Sequence, residues 1–105
     1  MDPAVRLPHL LAPASRMRHK VADYAKWKRA FDAHGATRKK NGSKGGRLFR
    51  SADDPSEVVI LLKWSDLRKA REFITSDDVR QAMGRAGVSD QPTVYFLEER
   101  ARPAG

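Results

Sequence analysis

Two histidines and one arginine are the side chains of this sequence best suited to chemistry on a small molecule. His19 lies in Met17–Val21, a short strand candidate, and a neutral imidazole there can take a proton because its ordinary pKa is about 6.5. His34 and Arg38 extend an apolar helix face beyond Phe31, as expected for a pocket rim where a guanidinium holds an enolate, carboxylate or phosphate. The structural alternatives are a strand histidine bonded to the backbone and a helix end that emerges into solvent.

Three aromatic residues are further candidates for a substrate pocket. Trp64 ends the most apolar segment of the chain, and its large apolar ring carries one N–H donor. Trp27 offers the same chemistry from a helix, and Tyr95 can orient a substrate oxygen from a strand. Each also fits a purely structural role, Trp27 and Trp64 in the core and Tyr95 in the core or an interface.

Several classes of site are disfavoured by composition. The 105 residues contain no cysteine, which excludes disulfides and thiolate chemistry and fits a reducing, cytoplasmic location. Three histidines without metal-ligand spacing predict no metal site, and the glycines form no phosphate-binding loop. No apolar run approaches the roughly 18–20 residues of a membrane-spanning helix, so we expect no membrane partner.

The net charge of +8 is unevenly distributed. Residues 23–50 carry nine basic and two acidic residues, including the basic cluster Arg38–Lys44. This could attract nucleic acid, phosphates or acidic substrates. A solvated helix face is the alternative, and the cluster lacks the interleaved aromatic residues that nucleic-acid binding favours, so no nucleic-acid partner is expected.

The order of secondary structure predicts an α+β protein. A strand at Met17–Val21 precedes a helix over residues 24–40, and strands at Lys44–Ser51 and Glu57–Trp64 form a hairpin with a four- or five-residue loop. Two short helices capped by Ser65 or Asp66 and by Ser76 lead to a last strand, Thr93–Glu99. This βαββαβ order is the ferredoxin-like arrangement, with a four-stranded antiparallel sheet.

Both faces of the predicted sheet are apolar. Val58, Ile60, Leu62 and Trp64 alternate with Val59, Leu61 and Lys63, and Tyr95 and Leu97 fall on the opposite side from Phe96. Two helices cover one face of such a sheet, and leaving large apolar side chains on the other face in water costs roughly 1.5–3 kcal/mol each. The sequence therefore predicts a homodimer in which a second copy covers that face.

The sequence resembles the dimeric α+β barrel superfamily at several separate segments. Within that superfamily it most resembles the branch of antibiotic biosynthesis monooxygenases and related cyclases. The likeness rests on segments 18–21, 23–32, 45–55 and 57–66, together with Ser76-Asp77 and 95–99. It spans residues 17–99, which we interpret as one domain between a mobile N-terminal extension (residues 1–16) and a flexible tail (residues 100–105).

The resemblance implies a homodimer with a pocket in each subunit, between the helices and the concave sheet. For Trp64 it implies packing on a flat substrate and donation to a developing oxyanion. Oxygenases of this kind use no metal or flavin; they help an electron-rich or enolisable substrate lose a proton, and the anion reacts with oxygen. The expected function is thus a cofactor-independent monooxygenase or cyclase acting on an aromatic or polyketide-like substrate, and the alternative is a non-catalytic ligand-binding or structural dimer. Haem degradation is disfavoured, because the stretch Asp78–Gly84 lacks the iron-binding histidine of the haem-degrading relatives.

Overall fold

The computed structural model describes residues 12–105, which form four strands and four helices. The bounds in chain order are β1 (Pro13–Lys20), α1 (Tyr24–Ala33), α2 (Gly35–Lys40), β2 (Ser43–Arg50), β3 (Glu57–Trp64), α3 (Leu67–Ile74), α4 (Asp77–Arg85) and β4 (Thr93–Glu98).

The strands form one antiparallel sheet in the order β2-β3-β1-β4. In its centre, β1 pairs with β3 through Met17 opposite Ile60, and with β4 through Met17 opposite Val94. The predicted α+β, ferredoxin-like fold with a four-stranded antiparallel sheet is therefore confirmed.

The two faces of the sheet differ in burial. The inner face, against which the helices pack, buries Val58, Ile60 and Trp64 almost completely. On the outer face Phe49, Tyr95 and Leu97 are 47%, 50% and 39% exposed. Strand alternation correctly divided β3 and β4 between these faces, because side chains in a strand point to opposite sides in turn.

The predicted single helix over residues 24–40 is wrong in one respect. Asp23 caps its start by accepting a hydrogen bond from the backbone N–H of Lys26, but the helix ends at Ala33 and a second one begins at Gly35. His34, with φ −86° and ψ 0°, separates them. Gly35 has the poorest helix propensity after proline, which makes this the weakest point of a long helix.

The caps of the two later helices agree with the sequence. The Asp66 carboxylate accepts hydrogen bonds from the backbone N–H groups of Arg68 and Lys69, and the Ser76 hydroxyl accepts one from that of Val79. These bonds satisfy N–H groups that have no partner within their own helix.

The first strand begins four residues before the predicted Met17. Pro13 is its first residue, a position where a strand tolerates proline because no donor is needed there. Residues 13–16 therefore belong to the sheet, whereas residues 1–11 of the proposed extension lie outside the described part of the chain. Residues 100–105 have no regular secondary structure and are exposed.

The edge strand β2 contains an irregularity near its start. Its register with β3 shifts between Ser43 and Gly46, and a Cβ built on Gly46 would lie 1.8 Å from the carbonyl oxygen of Leu61. Only glycine fits this close approach of two backbones. The loop from β2 to β3 spans residues 51–56, one residue longer than predicted.

Candidate ligand-binding cavity

A cavity of about 310 Å³ lies between the inner face of the sheet and the helices. Its walls are mainly apolar, and the polar side chains that reach it are few, as is typical of small-molecule sites. The polar lining residues are Ser15, His19, His34, Arg38 and Arg85, and the apolar ones include Trp27, Phe31, Ile60, Leu62, Phe73, Val79, Ala82 and Met83.

His19 is the most deeply buried titratable side chain lining this cavity. It is 2% exposed, and neither ring nitrogen has a hydrogen-bond partner among the described residues. Its ring meets that of Trp27 edge to face at 5.6 Å. Burial lowers the pKa of His19 to about 4, against a smaller opposing effect of Asp90. At neutral pH the ring is therefore uncharged, with one donor and one acceptor.

The ring nitrogens of His19 can find hydrogen-bond partners in the cavity. A buried polar group without a hydrogen bond costs about 1–3 kcal/mol, and native proteins rarely leave one so. The ring lines an open cavity, so a bound molecule or water can supply the partner. A hydroxyl or carbonyl group on an otherwise apolar ligand would satisfy it.

Arg38 lies on the helical side of the cavity. Its Nη1 donates to the carbonyl oxygen of Phe31 at 2.7 Å, and its guanidinium carbon sits 3.8 Å from the centre of the Phe31 ring. Burial lowers the pKa of Arg38, although the group remains a cation. Among the described residues no carboxylate lies within 4 Å of it, so its remaining N–H groups are available to an anion.

His34 lies at the break between α1 and α2. Its ring stacks on that of Phe73, with centres 5.8 Å apart. Burial, followed by the nearby charge of Arg38, lowers the pKa of His34. Although the helix is broken at His34, both His34 and Arg38 line the cavity. The apolar face of the predicted continuous helix had indicated the same position for both.

Trp64 lies behind the cavity wall and is not one of its lining residues. Its indole N–H donates to the hydroxyl of Ser15 at 2.9 Å, and both side chains are almost fully buried. The hydroxyl of Ser15, which does line the cavity, is therefore oriented by Trp64. Sequence reasoning missed Ser15 because it assigned residue 15 to the extension. The alternation Ser15, Met17, His19 was the available signal.

Tyr95 lies on the opposite face of the sheet, away from the cavity. It is half exposed, and the guanidinium of Arg16 lies 5.6 Å from its ring centre. Phe96, the next residue, takes the inner face instead. Tyr95 is therefore not brought together with His19, Trp27, His34 and Arg38, the predicted candidates that do line the cavity.

Two further features are absent from the described part of the chain. Residues 12–105 contain no cluster of three or more histidine, aspartate and glutamate side chains able to hold a metal ion. None of the helices found there has the length and apolarity needed to cross a membrane.

Comparisons with known proteins identify the fold. No family model and no curated protein matches the sequence. Among solved structures, a candidate antibiotic biosynthesis monooxygenase from Bordetella bronchiseptica has a TM-score of 0.71 at 14% identity, covering 86% of this chain and 99% of that one. A monooxygenase of Streptomyces coelicolor, solved in complex with nanaomycin D, has a TM-score of 0.66 at 16% identity, covering 92% and 95%.

The chain has the antibiotic biosynthesis monooxygenase-like fold. A third such structure, from Caulobacter crescentus, agrees with a TM-score of 0.67 at 16% identity over 91% of this chain and 99% of its own. At these identities the likeness establishes the monooxygenase-like fold, while activity depends on the side chains of the site.

Proposed function

We propose that the protein is a homodimer in which each protomer binds a flat aromatic or polyketide-like molecule in the cavity. In this proposal it acts as a cofactor-independent monooxygenase or cyclase. The observation that carries the proposal is the apolar cavity into which a neutral, unpartnered His19 and the cationic Arg38 both project. The Streptomyces coelicolor monooxygenase with bound nanaomycin D supports the ligand class, because it has the same fold.

These side chains suit a substrate that becomes an anion. His19 accepts a hydrogen bond from an enol or phenol and receives its proton, while Arg38 stabilises the negative charge that develops. The substrate anion then reacts with dioxygen. For an anthrone-like CH₂ group, both C–H bonds break, one oxygen atom forms the new carbonyl group, and the other leaves as water.

The low pKa of His19 favours a second candidate, a non-catalytic ligand-binding dimer. An imidazole of pKa about 4 is a weak base for a phenol of pKa about 10, unless the ion pair it forms is itself stabilised in the cavity. The same ring is a good hydrogen-bond partner for a neutral ligand. Both candidate functions therefore use the same cavity, but only the oxygenase converts the bound ligand into a product.

The outer face of the sheet supports the homodimer. Phe49, Tyr95 and Leu97 are large and exposed there, beside half-buried Val59 and Leu61. Arg18, on the same face, is neutralised by Glu57 at 2.8 Å and Asp90 at 3.4 Å, which lowers the cost of covering it. A second copy offers the same apolar side chains, related by two-fold symmetry, with the exposed Arg16, Arg47 and Lys63 on the same face.

The dimer is tested by placing a charge in the centre of this face. Leu61→Lys should give monomers in sedimentation equilibrium, because it places a third cation between the cross-strand neighbours Arg16 and Arg47 in the buried centre of the interface. Gln81→Lys, on the exposed side of α4, is the control and should sediment like the wild type. A wild type that is a folded monomer at micromolar concentration would refute the homodimer.

The cavity is tested with anthrone as a substrate probe and 2-naphthol as a binding probe. Ala82→Phe fills the cavity from α4, whereas Gln81→Phe places the same ring in solvent one residue earlier. We expect the wild type and Gln81→Phe to consume one dioxygen per anthrone and to bind 2-naphthol. Ala82→Phe should do neither.

The outcomes separate the two candidates. Binding of 2-naphthol without dioxygen consumption above the uncatalysed rate would establish the ligand-binding candidate and refute the oxygenase. Turnover that is unchanged in Ala82→Phe would refute a site in this cavity.

A further inference from the structure

A second cleft of about 440 Å³ adjoins the cavity, between α2 and the start of β2. The two spaces share Phe31, Arg38, Ile60 and Leu62 as walls, so the Arg38 guanidinium stands at the boundary between them. A ligand in the cavity that extends past Arg38 would enter this cleft. The side chains that line the cleft therefore determine which chemical group the far end of such a ligand can carry.

The cleft is strongly basic. Three basic side chains line it, Arg38 and Lys39 from α2 and Lys44 from β2, and no aspartate or glutamate does. Arg47 borders the cleft through its backbone position, but its register opposite Leu61 puts its side chain on the outer face. Within residues 12–105 none of the three has a carboxylate within 4 Å. Like charges grouped without counter-charges repel one another and attract a multiply charged anion.

Some exposed basic residues elsewhere in the chain have such partners. Lys28 pairs with Asp32 one turn away, Arg68 with Glu72 at 3.2 Å, and Arg102 with Glu99 at 2.6 Å. The cleft differs from these sites because several cations line it together and no carboxylate does.

The backbone also leaves the cleft open. Gly45 has φ +84°, and a Cβ built on it would meet nothing within 4 Å, while Gly46 next to it has no side chain. Both line the cleft beside the hydroxyl of Ser43. A bulky anionic group can thus approach the strand without displacing side chains.

We propose that this cleft is a subsite for a phosphate group carried by the ligand whose apolar part occupies the cavity. The ligand class is then an aromatic or polyketide-like compound bearing a phosphate or diphosphate group. The Arg38 guanidinium can bind phosphate oxygens through paired N–H donors, and Lys39 and Lys44 add point charges. This inference rests on the proposed use of the cavity and specifies the substrate class of the same site.

The experiment compares 2-naphthyl phosphate with 2-naphthol by isothermal titration calorimetry, with inorganic pyrophosphate and a ten-nucleotide oligothymidylate as further probes. The test variant is Lys39→Gln/Lys44→Gln, which removes one exposed charge from each side of the cleft. The control, Lys26→Gln/Arg29→Gln, removes two exposed charges from α1, away from the cleft.

We expect the wild type and the control to bind 2-naphthyl phosphate at least tenfold more tightly than 2-naphthol. The cleft variant should lose most of that advantage while its affinity for 2-naphthol changes less than twofold. Equal affinity for the two naphthyl probes in the wild type, or equal losses in both double variants, would overturn the subsite.

The remaining outcomes distinguish this inference from the proposed function. If pyrophosphate binds and is lost in the cleft variant, but 2-naphthol does not bind, the proposed function fails and the cleft is an anion site alone. If the oligothymidylate binds more tightly than 2-naphthyl phosphate and needs the same lysines, a nucleic-acid surface replaces the phosphate subsite.

Discussion

Replacing His19 should change how the stability of the protein depends on pH. The pKa of His19 is about 4 in the folded protein, against 6.5 in the unfolded chain. Between these values the unfolded chain binds the proton and the folded protein does not, so stability is full above pH 6.5 and falls as the pH is lowered. From pH 7.5 to pH 5.0 this linkage costs about 2 kcal/mol.

The assay is urea denaturation at both pH values and one protein concentration, comparing the wild type with His19→Gln. The variant lacks the titrating ring, so its free energy of unfolding should fall by about 2 kcal/mol less than that of the wild type. His34 and the carboxylates are present in both proteins, so their titration cancels in the comparison. An NMR titration of the wild type gives the pKa of the ring directly, and serves alone if the variant does not fold.

Two results would refute the reasoning about His19. One is a pH dependence that is the same in both proteins. The other is a measured pKa near 6.5, which would mean that the ring is solvated and that burial does not set its charge.

Three further predictions concern the elements that shape the site. Ser15→Ala should lower the free energy of unfolding by about 1–2 kcal/mol by leaving the Trp64 N–H unpaired, and an unchanged urea midpoint would show that this bond is not stabilising. Gly46→Ala should prevent folding or cost more than about 3 kcal/mol because of the 1.8 Å contact, whereas Gly84→Ala, with open space, should stabilise α4 by up to about 1 kcal/mol; equal thermal midpoints would contradict this. Asp66→Ala should cost about 1 kcal/mol in urea denaturation by removing the cap of α3, and no loss would mean that water replaces the cap.

The sequence predicted the central elements of the fold because local signals and tertiary structure agree there. The bounds of β3 were correct, since Glu57–Trp64 is apolar on both faces and bounded by turn residues. The caps Asp66 and Ser76 were correct because a cap depends on neighbours three residues away. The start of β1 was missed, because only pairing with β4 shows that Pro13 is the first strand residue.

The candidate site was predictable only where the periodicity of a single element determines which of its side chains line the cavity. Helical spacing placed Trp27, His34 and Arg38 on a common face, and all three line the cavity. Whether Trp64 and Tyr95 line the cavity depends on which other elements pack against their strands. Trp64 is hydrogen-bonded to Ser15, which lies 49 positions away in the sequence, and no local pattern predicts such a contact.

The irregular start of β2 has a consequence for how copies of this protein can meet. An exposed edge strand offers free backbone donors and acceptors to any extended chain, and unprotected edges nucleate fibrils. Here the bulge between Ser43 and Gly46 interrupts that ladder, and flanking lysine and arginine side chains repel a like neighbour. Growth by adding strand to strand is therefore disfavoured along this edge, and the proposed dimer, which closes through the outer face of the sheet, leaves the edge free.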